Sequence, residues 1–370
     1  MTASAPGKAI LFGEHAINRG QAAISLSVGL YAECQAGFHS RFHFRSGTKE
    51  QVIDRLELLE LGRSVETCRA TDNFEAIRRL AAEDYFAPQK YILASAFGES
   101  LPAGLSLEWH SEVPSASGLG SGGSAFVAMV AAVSELLWRR KFHEPSTKAH
   151  ESRITNHESN LESRRLSSAP TLEQRAAWAH RGDIVAHGGI ASALDTQTSL
   201  LGGVIRFTGK GLAEPVKCAP GLTLVIAHTG VSAPTSEVNT RVRKWLAEQP
   251  EVRVEYFQAM GNLTRAARPA LQRGDWPELG RLMTLNQFLL EKIGVSCIEI
   301  DRLIVAARAA GAHGAKLSGS GGGGIIIALA STETKSAVAE ALARAGGRVF
   351  TPEIAVPGVT IHSNHELPDH

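Results

Sequence analysis

The stretch PSASGLGSGGS, at residues 114–124, lies between two apolar segments of different periodicity and decides the fold expected of this chain. Apolar and polar residues alternate over residues 105–113, which predicts a half-buried strand. Residues 124–138 are apolar over much of a helical circumference, as is typical of a helix buried in a large core. The quoted stretch is therefore predicted to turn from a strand into the N-terminus of a long helix.

The four glycines of this turn indicate binding of phosphate groups. Glycine lets the backbone adopt positive φ and brings amide N–H groups close to a ligand. The N-terminus of the following helix adds unpaired N–H groups and a partial positive charge. The turn matches neither the Walker A motif nor GxGxxG, and an ordinary strand-to-helix turn is the alternative. Such a turn needs only one or two glycines, so four of them favour a phosphate cradle.

A second glycine-rich stretch, Gly319–Gly324, lies between Lys316 and an apolar strand predicted at residues 325–329. Each glycine costs up to about 1 kcal/mol relative to alanine, through lost conformational entropy. A flexible linker is one explanation. Because a buried strand follows at once, close approach of the backbone to a ligand is the favoured one.

Two charged residues stand out among small or apolar neighbours. Lys8 lies in APGKAILFGEH at residues 5–15, and Asp195 lies in HGGIASALDTQTSLLGG at residues 187–203. Taken alone, Lys8 fits a solvated surface lysine and Asp195 fits a helix cap or a turn. The sequence neighbours of Asp195 are largely uncharged, so its carboxylate must be solvated or paired through the fold.

The length and composition predict two domains. The chain has 370 residues, 44% of them hydrophobic, which is too much for one small core. Glycine and proline crowd at residues 209–221, so we place the domains at residues 1–212 and 213–370. Strands and helices are mixed and the strand pattern is of the antiparallel type. This favours an α+β fold over a doubly wound parallel sheet.

Charge, cysteine spacing and hydropathy bear on which partners and which compartment we expect. The net charge of +1 does not favour nucleic acid. The four cysteines are scattered without metal-like spacing and suit a reducing cytosol. No segment is expected to supply the roughly 18–20 apolar residues of a membrane span. The polar interval 140–175 is interpreted as exposed helix ends and a surface loop.

Three motifs together resemble those of the GHMP kinase superfamily. The first is Ala5–Lys8 with Gly13–His15, the second is residues 114–124, and the third is Lys316–Gly324. Within the superfamily the closest resemblance is to the mevalonate kinases. It rests on four further segments spread over the chain, at residues 13–23, 228–243, 282–296 and 310–324. The resemblance implies a two-domain α+β GHMP kinase fold with the active site in the cleft between the domains.

The resemblance also implies an activity: ATP-dependent phosphorylation of the C5 hydroxyl of mevalonate, with Mg²⁺, in isoprenoid biosynthesis. Asp195 matches the aspartate that accepts the hydroxyl proton, and Lys8 matches the lysine beside it. An adjacent ammonium would keep this carboxylate ionised and would stabilise negative charge on the attacking oxygen.

Further site residues follow from the same resemblance. The substrate pocket would be lined by Glu14, His15, Ser320 and Gly321, and Mg²⁺ would be held by Ser121 and Asp183. The phosphates of ATP would lie on Pro114, Ser115, Ala116, Ser117, Gly118, Leu119, Gly120, Ser121, Gly122, Gly123 and Ser124.

Three departures from the family pattern concern the metal and the base. The second motif has Gly122 where the family has a serine, so Ser121, Ser124 or water would have to replace that ligand. Asp183 stands where the family has a longer glutamate. The loop 187–195 is one residue longer than its family counterpart, which shifts the segment that presents Asp195.

Other readings stay open at this level. Another GHMP enzyme could use phosphomevalonate, a sugar or a mevalonate-like acid, and a non-catalytic member would bind a nucleotide or metabolite as a regulator. Diphosphomevalonate decarboxylase is less favoured, because its relatives lack the lysine that Lys8 supplies. We expect a cytoplasmic protein with no nucleic-acid or membrane partner, and a homodimer is one alternative for its assembly.

Overall fold

The computed structural model describes residues 1–115, 117–143, 168–231 and 235–362. Ala116, one of the predicted ATP-binding residues, lies outside them, as does most of the polar interval interpreted as helix ends and surface loop. In chain order the strands are β1 (Thr2–Phe12), β2 (Ala23–His39), β3 (Phe42–Ser46), β4 (Lys49–Ile53), β5 (Gly104–Ser111), β6 (Val204–Phe207), β7 (Glu214–Pro215), β8 (Thr223–His228), β9 (Gly314–Ser318), β10 (Ile325–Ala330), β11 (Arg348–Phe350) and β12 (Thr360–His362).

The helices lie between and around these strands, and two short 3₁₀ helices occur at Ile17–Arg19 and Gly98–Ser100. The α-helices are α1 (Arg55–Ala70), α2 (Phe74–Glu83), α3 (Ala87–Phe97), α4 (Ser121–His143), α5 (Leu172–Ala186), α6 (Leu194–Leu201), α7 (Thr235–Glu248), α8 (Arg253–Arg273), α9 (Trp276–Lys292), α10 (Ile298–Ala309) and α11 (Lys335–Arg344).

The larger sheet is organised around β2, which has 17 residues. Along one edge β2 pairs with β1, and along the other it pairs first with β6 and then with β5. The strand order is β12-β1-β2-β5-β3-β4, with β7 beside β6. β3 and β5 are parallel, whereas the other described pairs are antiparallel, so the predicted α+β class is confirmed.

The smaller sheet has the order β11-β8-β10-β9 and is antiparallel throughout. Its central strand β10 is buried along its whole length, as the apolar run after the glycines predicts. Helices α9, α10 and α11 contact this sheet and bury its apolar side chains. The glycine run 319–324 is therefore the connection between two adjacent buried strands, β9 and β10.

Helix α4 begins at Ser121, three residues earlier than the helix predicted at residues 124–138, because the last glycines of the turn form its first helical turn. By length and composition alone, residues 121–140 of this helix could cross a membrane. The sequence analysis expected no segment of this length and composition. The helix packs in the core beneath the larger sheet, where 67% of that stretch is buried. This burial is typical of a core helix.

The two sheets share one of the apolar clusters. Leu11 of β1, Leu224 of β8 and Ile327 of β10 belong to the same buried group of side chains. Two strands that follow residue 212, β7 and β12, also pair with the larger sheet. The domain boundary placed between residues 212 and 213 stays a prediction.

Candidate active site

Lys8 and Asp195 meet in the folded chain, although they lie in different elements. Lys8 is on β1 with 3% of its side chain exposed, and Asp195 is in the first turn of α6 with 28% exposed. The distance from Lys8 Nζ to Asp195 Oδ1 is 3.2 Å. The pair combines a buried cation with a carboxylate that solvent still reaches, so the carboxylate is open to a ligand.

The glycine-rich turn before α4 is built directly on Lys8. The backbone N–H of Lys8 donates to the carbonyl of Leu119 at 2.8 Å, and the Nζ of Lys8 donates to the carbonyl of Gly118 at 3.0 Å. Gly118 and Gly120 have φ of +90° and +76°. A Cβ at residue 120 would lie 2.8 Å from Cγ of Lys8, so only glycine fits.

The N-termini of α4 and α6 meet at the same place. A Cβ on Gly123, in the first turn of α4, would lie 3.2 Å from the Cβ of Asp195. Ser124 is fully buried, and its hydroxyl lies 3.0 Å from the carbonyl of Gly120, to which it donates. Ser121, at the start of the helix, is partly exposed. Two helix N-termini side by side offer partial positive charge and unpaired N–H groups to an anion.

The third motif is held in place rather than flexible. Gly319 and all four glycines 321–324 have positive φ. The N–H of Gly322 donates to the carbonyl of Val295 at 2.7 Å, and the N–H of Gly324 donates to the carbonyl of Val231 at 2.8 Å. These bonds contradict the linker explanation, because each anchors the run to a separate part of the chain.

The second and third motifs are in contact. A Cβ on Gly118 would lie 3.2 Å from the carbonyl oxygen of Ser318, and one on Gly324 would lie 3.2 Å from that of Ser117. The Ser318 hydroxyl also accepts from the N–H of Ile10 on β1 at 2.8 Å. Motifs far apart in sequence therefore form one continuous surface beside Lys8.

Glu14 and His15 form a turn after β1 that is buried against the smaller sheet. Glu14 Oε1 is paired with Lys316 Nζ, and both side chains are at most 1% exposed. Glu14 Oε2 accepts from Asn286 Nδ2 at 3.5 Å. Burial lowers the pKa of Lys316, and the charge and hydrogen bond of Glu14 act in the opposite direction but do not outweigh it. Both carboxylate oxygens of Glu14 thus have protein partners.

His15 is buried and neutral near pH 7. Burial lowers its pKa to about 4. Its Nε2 lies 2.9 Å from the carbonyl oxygen of Ser320, so Nε2 carries the proton and Nδ1 is left as an acceptor. The predicted substrate residues His15 and Ser320 are therefore adjacent, and Gly321 follows in the same loop.

Asp183 lies on α5, fully buried, and it was predicted to hold Mg²⁺. Its Oδ2 has no hydrogen-bond partner among the described residues and lies 3.8 Å from Nδ1 of His180. Burial raises the pKa of Asp183, and the charge of Asp195 acts in the same direction. An unpartnered carboxylate oxygen that feels a second carboxylate fits a divalent cation. No cluster of three His, Cys, Asp or Glu occurs within the described ranges, so such a cation would need other oxygen ligands as well.

A cavity of about 550 Å³ adjoins this region. It is bordered by Ile17 and Asn18, which follow His15, and by Ser192 and Ala193, which precede Asp195. Neither Lys8 nor Asp195 lines it. The remaining lining residues come from α5, the loop before α6, α6 itself, the end of β6 and the segment after it: Glu173, Ala176, Ala177, His180, Ala191, Gln197, Phe207, Gly209, Gly211 and Leu212.

The sequence assigned no role in the site to Lys316, although this residue begins the third motif, and none to Asn286 or His180. A signal existed for Lys316, since it stands in a short apolar strand directly before the glycine run. A lysine with no exposed surface must have a charged or polar partner. Asn286 lies in one of the segments that resemble the family, at residues 282–296, whereas no comparable signal marked His180.

Comparison with known families agrees with the motifs. Residues 86–158 match the family described as GHMP kinases N terminal domain, and residues 267–348 match the family described as GHMP kinases C terminal. The solved structure of L. major mevalonate kinase in complex with R-mevalonate has a TM-score of 0.68 at 26% identity, over 96% of both chains. Mevalonate kinase of Methanococcus jannaschii has the same fold, with a TM-score of 0.70 at 22% identity, over 95% of this chain and 97% of that one.

Whole-chain similarity to named proteins is closer still. Mevalonate kinase of Thermococcus gammatolerans is 31% identical and that of Pyrococcus furiosus is 32% identical, each over 365 residues and 97% of both chains. Since this similarity runs through all three motifs as well as the elements between them, the chain belongs to the mevalonate kinase family of the GHMP kinases.

Proposed function

We propose that the protein transfers the γ-phosphoryl group of ATP to the C5 hydroxyl of mevalonate, giving 5-phosphomevalonate and ADP. The observation that carries this proposal is the 3.2 Å pair of Lys8 and Asp195, placed where two glycine-rich loops and two helix N-termini meet. Relatives over the full length are named mevalonate kinase, which identifies the acceptor.

In this proposal Asp195 receives the proton of the C5 hydroxyl. Its carboxylate is partly exposed and so can reach a ligand, whereas Lys8 is buried beside it. The ammonium of Lys8 lies beside this carboxylate and stabilises the attacking hydroxyl oxygen as it becomes negative. Phosphoryl transfer depends mainly on placing the reactants and neutralising charge, and this pair does both.

The phosphates of ATP are assigned to the second motif, Pro114–Ser124, at the N-terminus of α4. The third motif closes the same surface, since Gly319 and Gly324 lie against Gly118 and Ser117 of the second. Backbone N–H groups rather than lysine side chains would supply most of the hydrogen bonds to phosphate. Lys8 is already engaged with Asp195 and the carbonyl of Gly118.

Asp183 and Ser121 are the residues that would hold Mg²⁺. When bound, the ion neutralises charge on the β- and γ-phosphates. Asp183 Oδ2 accepts no hydrogen bond within the described ranges, where His180 Nδ1 lies 3.8 Å away, whereas the buried hydroxyl of Ser124 is used inside the first turn of α4. Ser121 is therefore the better replacement for the serine that Gly122 lacks.

The acceptor is assigned to the region between His15 and Asp195, beside the cavity. Alanine, isoleucine, phenylalanine and leucine side chains in the cavity wall suit the methyl group and carbon chain of mevalonate. His15 offers an unprotonated Nδ1 to a hydroxyl group. We also expect a cytoplasmic enzyme, and a homodimer remains one alternative for its assembly.

A substrate panel tests the proposal. ADP release is measured with Mg-ATP and each of mevalonate, phosphomevalonate, galactose and homoserine, with matched reactions lacking acceptor as controls. We expect turnover with mevalonate at a kcat/KM far above the others. Preference for another acceptor would replace mevalonate within the same superfamily. Binding of ATP without turnover of any acceptor would favour the regulator and contradict the proposed activity.

A further inference from the structure

The ion pair between Lys316 and Glu14 joins the two halves of the chain in the interior. Lys316 lies on β9, and Glu14 follows β1 at a separation of 302 residues. Neither side chain has appreciable exposed surface. Lys316 Nζ also donates to the carbonyl of Leu317 at 2.6 Å. Since a buried charge is costly unless it is paired, the place of one group is set by the other.

Helix α9 holds this pair from the other side. Asn286 donates to the second oxygen of Glu14 at 3.5 Å, and Gln287 accepts from the N–H of Leu317 at 2.9 Å. The carboxylate of Glu14 therefore has a protein partner at each oxygen and sits inside the fold. This arrangement suits a group that supports its neighbours better than one that contacts the acceptor.

The neighbour that Glu14 supports is His15. This residue has φ of +60°, a conformation that a residue with a side chain adopts only when its surroundings impose it. The imidazole bonds to the carbonyl of Ser320, and the guanidinium of Arg19 donates to the carbonyl of His15 at 2.7 Å. Arg19 also lies over the ring of Phe257 on α8, 4.6 Å from its centroid.

We propose that Lys316 is a positioning residue for the acceptor, acting through Glu14 to fix His15 relative to the pair of Lys8 and Asp195. The inference rests on the proposed function. According to this inference, Glu14 holds neighbouring residues of the protein in place, whereas the family resemblance implies that it lines the substrate pocket. A hydrophobic pair could fill the same volume at little or no loss of stability, but it would not fix a distance and a direction as an ion pair does.

Steady-state kinetics of Lys316→Met provide the first test. We expect KM for mevalonate to rise by roughly 10–100-fold, because His15 would move by about 1 Å relative to Lys8 and Asp195. KM for ATP should change little. Lys90→Met is the control, because it also removes a buried lysine from an ion pair: Lys90 on α3 lies 2.6 Å from Asp84, which precedes this helix and is 17% exposed. This control should lower the melting temperature and leave KM for mevalonate near that of the wild type. An equal rise of KM in both variants would overturn the proposal.

Two further variants decide the matter if Lys316→Met does not fold. Lys316→Met combined with Glu14→Gln leaves no unpaired buried charge, and Glu14→Asp keeps both charges but shortens the carboxylate arm. We expect each to fold and to retain a raised KM for mevalonate. Wild-type KM for mevalonate in Glu14→Asp or in the double variant would overturn the positioning role.

A spectroscopic measurement separates this proposal from the proposed function. The ¹⁵N shifts of the His15 imidazole, assigned with His15→Asn, should differ between wild type and Glu14→Asp, since the ring moves relative to Ser320. If the wild type turns over no acceptor in the panel, the activity is wrong, but these shifts still test whether the ion pair places His15. Unchanged shifts would overturn the inference by themselves.

Discussion

At the scale of single residues, the site depends on charges removed from water and paired inside the fold. Lys8 is almost fully buried and faces a carboxylate that solvent can still reach. The Lys316–Glu14 pair has no such opening, and one oxygen of the Asp183 carboxylate accepts no hydrogen bond among the residues that the structure describes. These three environments suggest three different roles, which substitutions of single residues can separate.

Asp195→Asn should remove the base and keep its shape. We expect kcat to fall by roughly 10²–10⁴-fold, the usual contribution of a general base, while the affinity for ATP stays nearly intact. Single-turnover rates and calorimetric titration with ATP check the two parts of this prediction. Retained activity would remove Asp195 from the role of base.

Gly122→Ser should restore a hydroxyl at the place where the family has one. A Cβ there would lie 3.5 Å from the ring of Phe126, an ordinary contact, so the variant should fold normally. We expect the Mg²⁺ concentration for half-maximal activity to fall by up to roughly tenfold. Tighter Mn²⁺ binding in the presence of ADP, followed by electron paramagnetic resonance, is the independent readout. Gly122→Ala is the control, and an unchanged metal requirement in the serine variant would show that this hydroxyl is not a ligand.

Burial of His15 should make stability depend on pH. Its pKa is about 4 in the folded protein, against 6.5 in an unfolded chain, so the unfolded state binds the extra proton between these values. The free energy of unfolding should therefore fall as pH is lowered from about 6.5 to 4, by roughly 3 kcal/mol from this group. Urea unfolding at pH 7 and pH 4.5 should show a smaller loss in His15→Asn, since asparagine tolerates positive φ and does not titrate. Equal losses in both proteins would contradict this.

At the scale of secondary-structure elements, the site is an arrangement of helix ends on strands. Helices α4 and α6 bring their first turns together beside β1, and glycine makes that approach possible. The contact at Gly123 is closer than a methyl group would normally allow, whereas Gly122 has room. Gly123 thus leaves little room for a side chain, whereas the adjacent Gly122 leaves enough, although both stand in the same helical turn.

Gly123→Ala should push α6 away from α4 and displace Asp195. The added Cβ would lie 3.2–3.3 Å from backbone and Cβ atoms of Asp195 and Thr196, so the helices must separate by a few tenths of an ångström. We expect kcat to fall by roughly tenfold. Gly122→Ala has the same intrinsic helix propensity, so it is the comparison, and its loss of kcat should be clearly smaller. Similar losses would indicate that the contact with α6 does not control the rate.

At the scale of the whole molecule, the last described segment of the chain packs against β2, the end of α6 and β1. The segment from Glu353 to His362 runs back beside β2, and Gly202 at the end of α6 bridges to Pro357. Strand β12 then pairs with β1, the strand that carries Lys8. The C-terminal half therefore supports the strand that carries Lys8 and also contains the third motif.

Gly358→Ala should destabilise this closure. A Cβ at residue 358 would lie 2.2 Å from the carbonyl oxygen of Leu200, so the segment must shift. We expect the free energy of unfolding to fall by roughly 1–3 kcal/mol. In Gly37→Ala the new Cβ would meet no atom within 4 Å, so that variant should be neutral or slightly stabilised. Urea unfolding followed by circular dichroism compares the two, and equal stability would mean that the segment does not close the fold.

The sequence by itself determined the α+β class, the buried strand and helix on either side of the first glycine-rich turn, and the glycine-rich turns where phosphate binding is expected, whereas the role of Asp195 as base rested on the family resemblance. These features are local. Positive φ and close backbone approach require glycine at particular residues, such as Gly118 and Gly120, whatever the rest of the chain does. A helix N-terminus binds anions through its own N–H groups, so the pattern of residues is sufficient to predict it.

Only the tertiary structure decided which distant groups meet. Lys8 required a partner among many carboxylates, and within the sequence only the family resemblance pointed to Asp195; strand order and helix packing bring the two side chains together. The same holds for Lys316 with Glu14, and for the return of β12 to β1. Every buried charge or unpaired strand edge needs a partner, and its identity depends on how elements far apart in sequence pack together, which no local pattern specifies.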